Sequence, residues 1–232
     1  MATYKEVNGT AVQNYAGTYP GAVDGELWYN STATTFQFQY AAITDAWSTG
    51  GNLNTARRLL GGAGTQTAAL AFGGGANPDS TAITESYNGT NWTEVGDLRT
   101  ARGYLTGCGT NTAALAFGGS VNPNVVQNLT ETWNGTSWTE VNNLTVARRS
   151  LGAAGTNTAA LAFGGFPTSG VGNKTELWNG TNWTAVNDLN NKNEGVVGAG
   201  TQTAALAMGG SETPTATESW NGTNWTAVTA MN

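Results

Sequence analysis

Apolar residues in this chain gather into short runs, and one run returns at a fixed interval. The stretch Thr67-Ala68-Ala69-Leu70-Ala71-Phe72-Gly73-Gly74 recurs at 112–119, 158–165 and 203–210, with Met208 where the other copies carry Phe117 and Phe163. These four anchor residues lie 45, 46 and 45 positions apart. Behind each copy stands Glu-x-Trp/Tyr-Asn-Gly-Thr-x-Trp-Thr, at 85–93, 131–139, 176–184 and 218–226. Ahead of three copies sits Ala-Arg, at Ala56-Arg57, Ala101-Arg102 and Ala147-Arg148, whereas the fourth has Lys192-Asn193.

Each repeat reads as four short strands. A run of small residues (Gly62-Ala63-Gly64, Gly107-Cys108-Gly109, Ala153-Ala154-Gly155, Gly198-Ala199-Gly200) leads through a polar Thr-Gln/Asn-Thr turn into the Ala-Ala-Leu-Ala-Phe strand. Both are apolar on both faces, as strands sandwiched between neighbouring sheets are. A variable loop follows, then a hairpin closed by Asn-Gly, which predicts a type I′ turn because both residues tolerate positive φ. No apolar stripe of period 3.6 is sustained anywhere, so the chain is expected to be all-β with essentially no helix. Four-stranded units of 40–50 residues in series are the signature of β-propeller blades. Small side chains in the first strand suit the crowded axis where blades converge.

The first fifty residues fit a fifth, diverged copy. Thr10-Ala11-Val12-Gln13-Asn14-Tyr15-Ala16-Gly17 follows the apolar-strand pattern, Glu26-Leu27-Trp28 matches Glu176-Leu177-Trp178, and residues 47–53 match 92–98. The nine Trp fall in two slots per copy (28/47, 92, 133/138, 178/183, 220/225), with Tyr87 in the tenth place. All five Pro (Pro20, Pro78, Pro123, Pro167, Pro214) fall just beyond the Gly that ends the apolar strand. The expectation is therefore a five-bladed propeller forming one compact domain, with four clear blades over 55–232. Residues 1–54 are a diverged first blade or a docking segment. Tyr4-Lys5-Glu6-Val7 falls where an innermost strand belongs but has the look of an outer one, which leaves those two alternatives open.

Composition narrows the chemistry. The chain of 232 residues has no His, one Cys and only 10% charged residues, against about 25% in an ordinary domain. Without His, Ser-His-Asp and Cys-His relays and His-ligated metals are excluded. A net charge of −6 with no basic run argues against nucleic acid as a partner. Cys108 has no mate for an internal disulfide and occupies an Ala slot, which marks it as a small buried hydrophobe. No run approaches ~18 apolar residues and the opening residues carry no signal-like apolar stretch, so a soluble protein without membrane insertion is expected. Gly61-Gly62-Ala63-Gly64-Thr65 lacks the Lys and the downstream helix of a phosphate loop, and no calcium-loop motif occurs. No cofactor and no metal are expected.

Arg, a small-residue strand, an apolar strand ending in Gly-Gly, then an aromatic and a downstream Trp resemble the kelch repeat. The resemblance spans 55–228 closely and 1–54 loosely, and implies a kelch-type propeller with the small-residue strand innermost. Kelch propellers also occur in copper-radical oxidases, whose histidine ligands this chain lacks. Gly25-Glu26-Leu27-Trp28-Tyr29-Asn30-Ser31-Thr32 with Phe36-Gln37-Phe38, in a Gly/Thr/Asn-rich, charge-poor chain, is similar to segments of bacteriophage tail-fibre and appendage proteins. That resemblance implies a virion component, made in the host cytoplasm and exposed on the particle. Its partners are other virion proteins and a host surface glycan or protein, and a homo-oligomer is compatible with it. An assembly scaffold, or a cellular kelch-type interaction domain, is the alternative.

Residues present in nearly every copy serve the blade. Arg57, Arg102 and Arg148 with Glu85, Glu131, Glu176 and Glu218 (and Glu26) are expected to be structural, because a buried charge must be paired. Trp92, Trp138, Trp183 and Trp225 are expected in the core between blades, while Trp28, Tyr87, Trp133, Trp178 and Trp220 suit either packing or sugar stacking. The many Asn-x-Thr sequons follow from Asn-Gly turns next to β-favouring Thr. One carboxylate per repeat offers no convergent acid and base, so a non-enzyme is expected. What varies is the loop after Gly-Gly, at 75–83, 120–129, 166–174 and 211–216. Divergent loops on a constant scaffold are how repeat folds carry a binding face, and relaxed drift of solvated loops is the alternative; if a binding face exists, Asp79, Asn124, Phe166 and Glu212 are its candidate residues.

Overall fold

The computed structural model describes residues 13–16, 27–38, 49–76, 79–121 and 125–231. The chain divides into two compact units, Met1–Thr49 and Gly50–Asn232. In the first unit, Gln13–Tyr15 pairs in parallel with Leu27–Asn30, which pairs antiparallel with Thr35–Phe38. The hairpin is closed by Asn30, whose side-chain oxygen accepts from the Thr32 and Ala33 amides, and Tyr29 meets Phe36 edge-on at 5.3 Å. The antiparallel four-stranded pattern of the other repeats is not found among the described residues of this unit.

The second unit is built on four four-stranded antiparallel sheets in a propeller-like arrangement, with two-stranded hairpins in the first two variable loops, Gly75–Ala76 with Asp79–Ser80 and Ser120–Val121 with Val125–Val126. The first blade is Gly61–Thr65, Ala68–Phe72, Thr84–Tyr87 and Trp92–Glu94, and the second Thr106–Gly109, Ala114–Phe117, Thr130–Trp133 and Trp138–Val141. The third is Gly152–Gly155, Ala160–Phe163, Thr175–Trp178 and Trp183–Val186, and the fourth Val197–Gly200, Ala205–Met208, Thr217–Trp220 and Trp225–Val228. Each blade pairs its strands in chain order. The only helix among the described residues is the single turn Thr168–Val171 in the third variable loop.

First strands of successive blades stand side by side, from Gly61–Thr65 through to Val197–Gly200. Their small residues are a steric necessity. A Cβ at Gly107 would press into the Phe72 ring of the preceding blade, and one at Gly198 into Phe163. The hairpin turn differs from the two-residue type I′ expectation. Tyr87 pairs with Trp92 and Trp133 with Trp138, which leaves four-residue loops in which only Gly has positive φ. Asn at the first position instead folds the loop with its side chain: the Asn88 oxygen accepts from the Thr90 and Asn91 amides at 2.9 Å.

The core lies in three layers, one between each pair of successive blades. Phe72, Phe117 and Phe163 each meet a tryptophan of the next blade edge-on: Trp138, Trp183 and Trp225, at 4.9, 4.8 and 4.9 Å. The same indoles donate their N–H at 3.0 Å to threonine hydroxyls of the preceding blade, Thr84, Thr130 and Thr175. An aromatic pair of this kind contributes about 0.5–1.5 kcal/mol beyond its buried area. The fourth blade has no such follower among the described residues. Thr217 holds the equivalent place, and its hydroxyl is buried with no partner among the described residues, while Leu206 and Val197 are exposed.

Candidate functional site

Blade linkers carry the recurrent arginines, and their geometry is that of a clasp. The backbone of Arg102 bonds the first blade, accepting from Gly74 N–H and donating to Thr81 O. Its side chain bonds the second, with Nη2 on Glu131 at 3.0 Å and Nη1 on the carbonyls of Leu129 and Gly118 at 2.8 and 3.4 Å. Arg148 repeats this with Glu176 at 3.0 Å, and Arg57 reaches Glu85 at 2.7 Å. All three pairs are buried. Burial pushes the Arg102 and Arg148 guanidinium pKa down, and Glu131 and Glu176 pull it back. The carboxylates also accept linker amides, as Glu131 does from Arg99 N–H at 2.7 Å. The Nη groups of each guanidinium are engaged within this clasp, while the Nε of Arg57, Arg102 and Arg148 is buried with no partner among the described residues.

The tryptophans are likewise placed in packing. Trp138, Trp183 and Trp225 are buried, and so are Trp133, Trp178 and Trp220, whose indoles donate to the carbonyls of Asn111, Asn157 and Gln202. These last three are therefore closed to sugar stacking. Trp92 differs: it is half-buried, and its N–H donates to Gly51 O at 3.1 Å in place of a threonine. Tyr87 is half-buried beside it, with ring centroids 5.0 Å apart. Glu26 and Trp47 lie outside the described residues. Cys108 is buried, its thiol donates to Thr156 O at 3.4 Å, and burial pushes its pKa up to about 12, which holds it as an unreactive thiol.

The variable loops start beside the linkers that enter the blades. Each loop opens on a bridge to the linker entering its blade: Gly75 to Arg58, Ser120 to Gly103 and Phe166 to Arg149. In the fourth blade Ser211 N–H donates to Glu194 O. The next linker residue has positive φ in every blade: Leu59 (61°), Tyr104 (55°), Ser150 (53°) and Gly195 (68°). Backbone bonds join them in series, from Tyr104 N–H to Leu59 O, Ser150 N–H to Tyr104 O and Gly195 N–H to Ser150 O. A bulky residue with positive φ is a genuine outlier that only surrounding structure can hold, and such strain gathers at functional positions.

That strained track carries exposed apolar groups. Leu59 and Tyr104 are 39% and 37% exposed. The Arg149 guanidinium carbon lies 4.8 Å from the Tyr104 ring and 4.6 Å from the Phe166 ring, stacked between the two. Leu59, Tyr104, Arg149 and Phe166 thus form a ledge of apolar faces with a cation inserted. Of the four candidate residues, Phe166 stands in this ledge. Glu212 is exposed in the fourth loop, where its amide donates to Asn193 at 2.9 Å. Asp79 pairs its backbone with Ala76 in the first loop's hairpin, and Asn124 lies outside the described residues.

The repeat pattern alone does not single out Leu59, Tyr104 or Arg149. Their signal is a variable pair inside a constant frame: Arg58-Leu59, Gly103-Tyr104, Arg149-Ser150 and Glu194-Gly195, each between the clasp position and a constant Leu or Val. Comparison of the chain with protein-family models finds no match, and comparison with curated proteins finds none.

Proposed function

We propose that the protein is a non-enzymatic structural and adhesive component of a bacteriophage particle, a tail-fibre or appendage protein exposed on the virion. Its scaffold is a kelch-type propeller in which residues 1–54 supply a fifth, diverged blade. The ledge of Leu59, Tyr104, Arg149 and Phe166, with the variable loops around it, contacts a host surface glycan or protein.

The observation that carries this reading is the division of labour between repeated and variable residues. Among the described residues of the second unit, every repeated charge and every repeat tryptophan but Trp92 is used in holding the blades. Exposed Leu59 and Tyr104 and half-buried Arg149 and Phe166 gather where the variable loops start, and they are of the types that bind. Tyr and Phe rings stack against sugar or apolar surfaces, and a stacked Arg presents donors to hydroxyls or carboxylates. Weak contacts of this kind gain strength from the many copies on a particle.

Binding of the purified chain to an array of bacterial surface polysaccharides and to whole bacterial cells tests the reading. The expected result is binding that falls at least about tenfold in a Tyr104→Ala/Phe166→Ala double variant whose melting temperature is unchanged. Binding unaffected by the double variant moves the contact elsewhere. Absence of binding, with loss of particle assembly when the protein is deleted, makes it a scaffold. Electron cryo-microscopy of particles without its density anywhere leaves a cellular interaction domain.

A further inference from the structure

The basic residues of the second unit fall into two groups. Arg57, Arg102 and Arg148 serve the clasps, and Lys174 pairs with Asp188. Arg58 and Arg149 instead occupy the linker position that bridges to the start of a variable loop, in the first and third blades. The same position holds Gly103 in the second blade and Glu194 in the fourth. Along the bonded series Leu59, Tyr104, Ser150 and Gly195, the residue just before each is therefore a cation, uncharged, a cation and an anion. Glu212, exposed in the fourth loop, adds a second carboxylate at the acidic end.

Both arginines are fixed by their backbones before any ligand arrives. Arg58 N–H donates to Gly75 O at 3.2 Å, and Gly75 N–H donates back to Arg58 O at 3.0 Å. Arg149 N–H donates to Phe166 O at 3.0 Å, and Phe166 N–H donates back at 2.7 Å. The Arg149 guanidinium is held further by the Tyr104 and Phe166 rings, 4.8 and 4.6 Å away. A guanidinium stacked in this way has its faces covered and presents its planar edge, where the N–H groups lie. A carboxylate matches that edge with two parallel hydrogen bonds. Arg58 is exposed and forms no ion pair among the described residues. Leu59 and Tyr104 supply the exposed apolar surface on which the C–H face of a sugar ring rests. The net charge of −6 repels an acidic polymer at long range. Screening confines that field to about 8 Å at physiological ionic strength, so the groups at the ledge decide.

We propose that the ledge binds an acidic polysaccharide, a chain of sugars bearing carboxylates of the uronic acid class. Arg149 donates to the carboxylate, Arg58 is a second cationic contact, and Tyr104 is the stacking platform. Glu194 and Glu212 disfavour the polymer at the fourth blade, which directs it along the linkers of the first three. The inference rests on the adhesive reading of the ledge and narrows its ligand to the anionic class.

Binding of the full chain to polygalacturonate, alginate and hyaluronan, each compared with its carboxyl-reduced form, tests the proposal. Carboxyl reduction is expected to weaken binding at least about tenfold, the value of hydrogen bonds to a charged group. Raising sodium chloride from about 50 to about 500 mM weakens binding of the acidic form severalfold and leaves the reduced form unchanged. Arg149→Lys keeps the charge but loses the planar fork, and lowers affinity for the acidic form by roughly fivefold or more. Should Arg149→Lys not fold, Arg58→Gln, at an exposed side chain, is expected to lower the same affinity and to reduce its salt response. Equal binding of acidic and reduced forms, lost in the Tyr104→Ala/Phe166→Ala variant, overturns the anionic ligand and leaves the adhesive ledge standing. Acidic binding unaffected by either arginine substitution overturns the proposal as well. If none of the polymers binds, the proposal fails; binding to whole cells in the same assay then retains the adhesive reading, and its absence removes that too.

Discussion

The third and fourth blades share a strand order, a register and most of a sequence, yet they are held in two different ways. The third has a buried ion pair, Arg148 with Glu176, and is covered by the Trp225 indole on Thr175. The fourth holds its carboxylate, Glu218, with neutral amides of Asn190 and Asn191, and no described residue donates to its covering threonine, Thr217. Its first strand shows the same contrast, with Val197 61% exposed. The strand pattern therefore suffices to build a blade, while the clasp and the covering indole decide how firmly that blade is fixed to its neighbours.

The largest effect that sets the two apart is loss of the clasp. Arg148→Ala leaves the Glu176 carboxylate buried without its partner, and removal of one member of such a pair costs about 3–5 kcal/mol. For a unit of this size that lowers the melting temperature by roughly 10 °C. Asn193→Ala removes only neutral hydrogen bonds, of about 1 kcal/mol each. Equal melting points for the two variants, measured in one buffer, would erase the distinction between the blades.

The indole where the two blades meet comes next. Trp225→Phe keeps an aromatic ring near Phe163 but deletes the N–H, so Thr175 loses its donor and part of the layer is left underfilled. About 1–3 kcal/mol is expected from denaturant unfolding. Trp92→Phe at the other end of the series should cost less than about 1 kcal/mol, because that ring is half-buried and its acceptor is an exposed carbonyl.

Much of this was legible in the chain. The repeat spacing, the four strands per repeat and the role of the small residues follow from Phe72, Phe117, Phe163 and the glycines of the first strands, because a period and a steric limit are properties of sequence. The status of Trp133, Trp178 and Trp220 was open, since packing and sugar binding use the same residue; only burial separates them. The Asn-Gly loops were misread as two-residue turns, because Asn88 acts through its side chain and the strand register that reveals a four-residue loop is a long-range property. Positive φ at Leu59 and Tyr104 has no local signature, as neither residue favours it. The stacking of Arg149 on Phe166 depends on a bridge between a linker and a loop start.

First strands extend the comparison to a titratable probe. Cys108 in the second blade is buried against the third, while its counterpart Ala199 in the fourth is exposed. Burial raises the Cys108 pKa from 9.0 to about 12. Between these values the unfolded chain has lost the thiol proton and the folded chain retains it, so stability falls as pH rises through this window and is unaffected below it. The slope attributable to Cys108 approaches 1.4 kcal/mol per pH unit at most. Cys108→Ala removes that slope in parallel melts at pH 8 and pH 10. In the same frame, a cysteine introduced by Ala199→Cys reacts with Ellman's reagent at pH 8 and Cys108 does not.

The smallest effect carries the most about architecture. Thr175→Val deprives the Trp225 N–H of its acceptor and leaves a buried donor unpaired, at about 1–2 kcal/mol. Thr217→Val makes the same change one blade further on, where no described residue donates to the hydroxyl. In a series that ends at the fourth blade, this substitution replaces an unpaired buried hydroxyl with a methyl group and is neutral or slightly stabilising. In a ring continued by a further tryptophan-bearing blade, it costs as much as Thr175→Val, since it too orphans an indole. The five-bladed reading requires the second result. Two valine variants compared by denaturant unfolding therefore decide whether the fourth blade is an end or a junction: a hydroxyl that nothing uses is free to lose, and one that completes a ring is not.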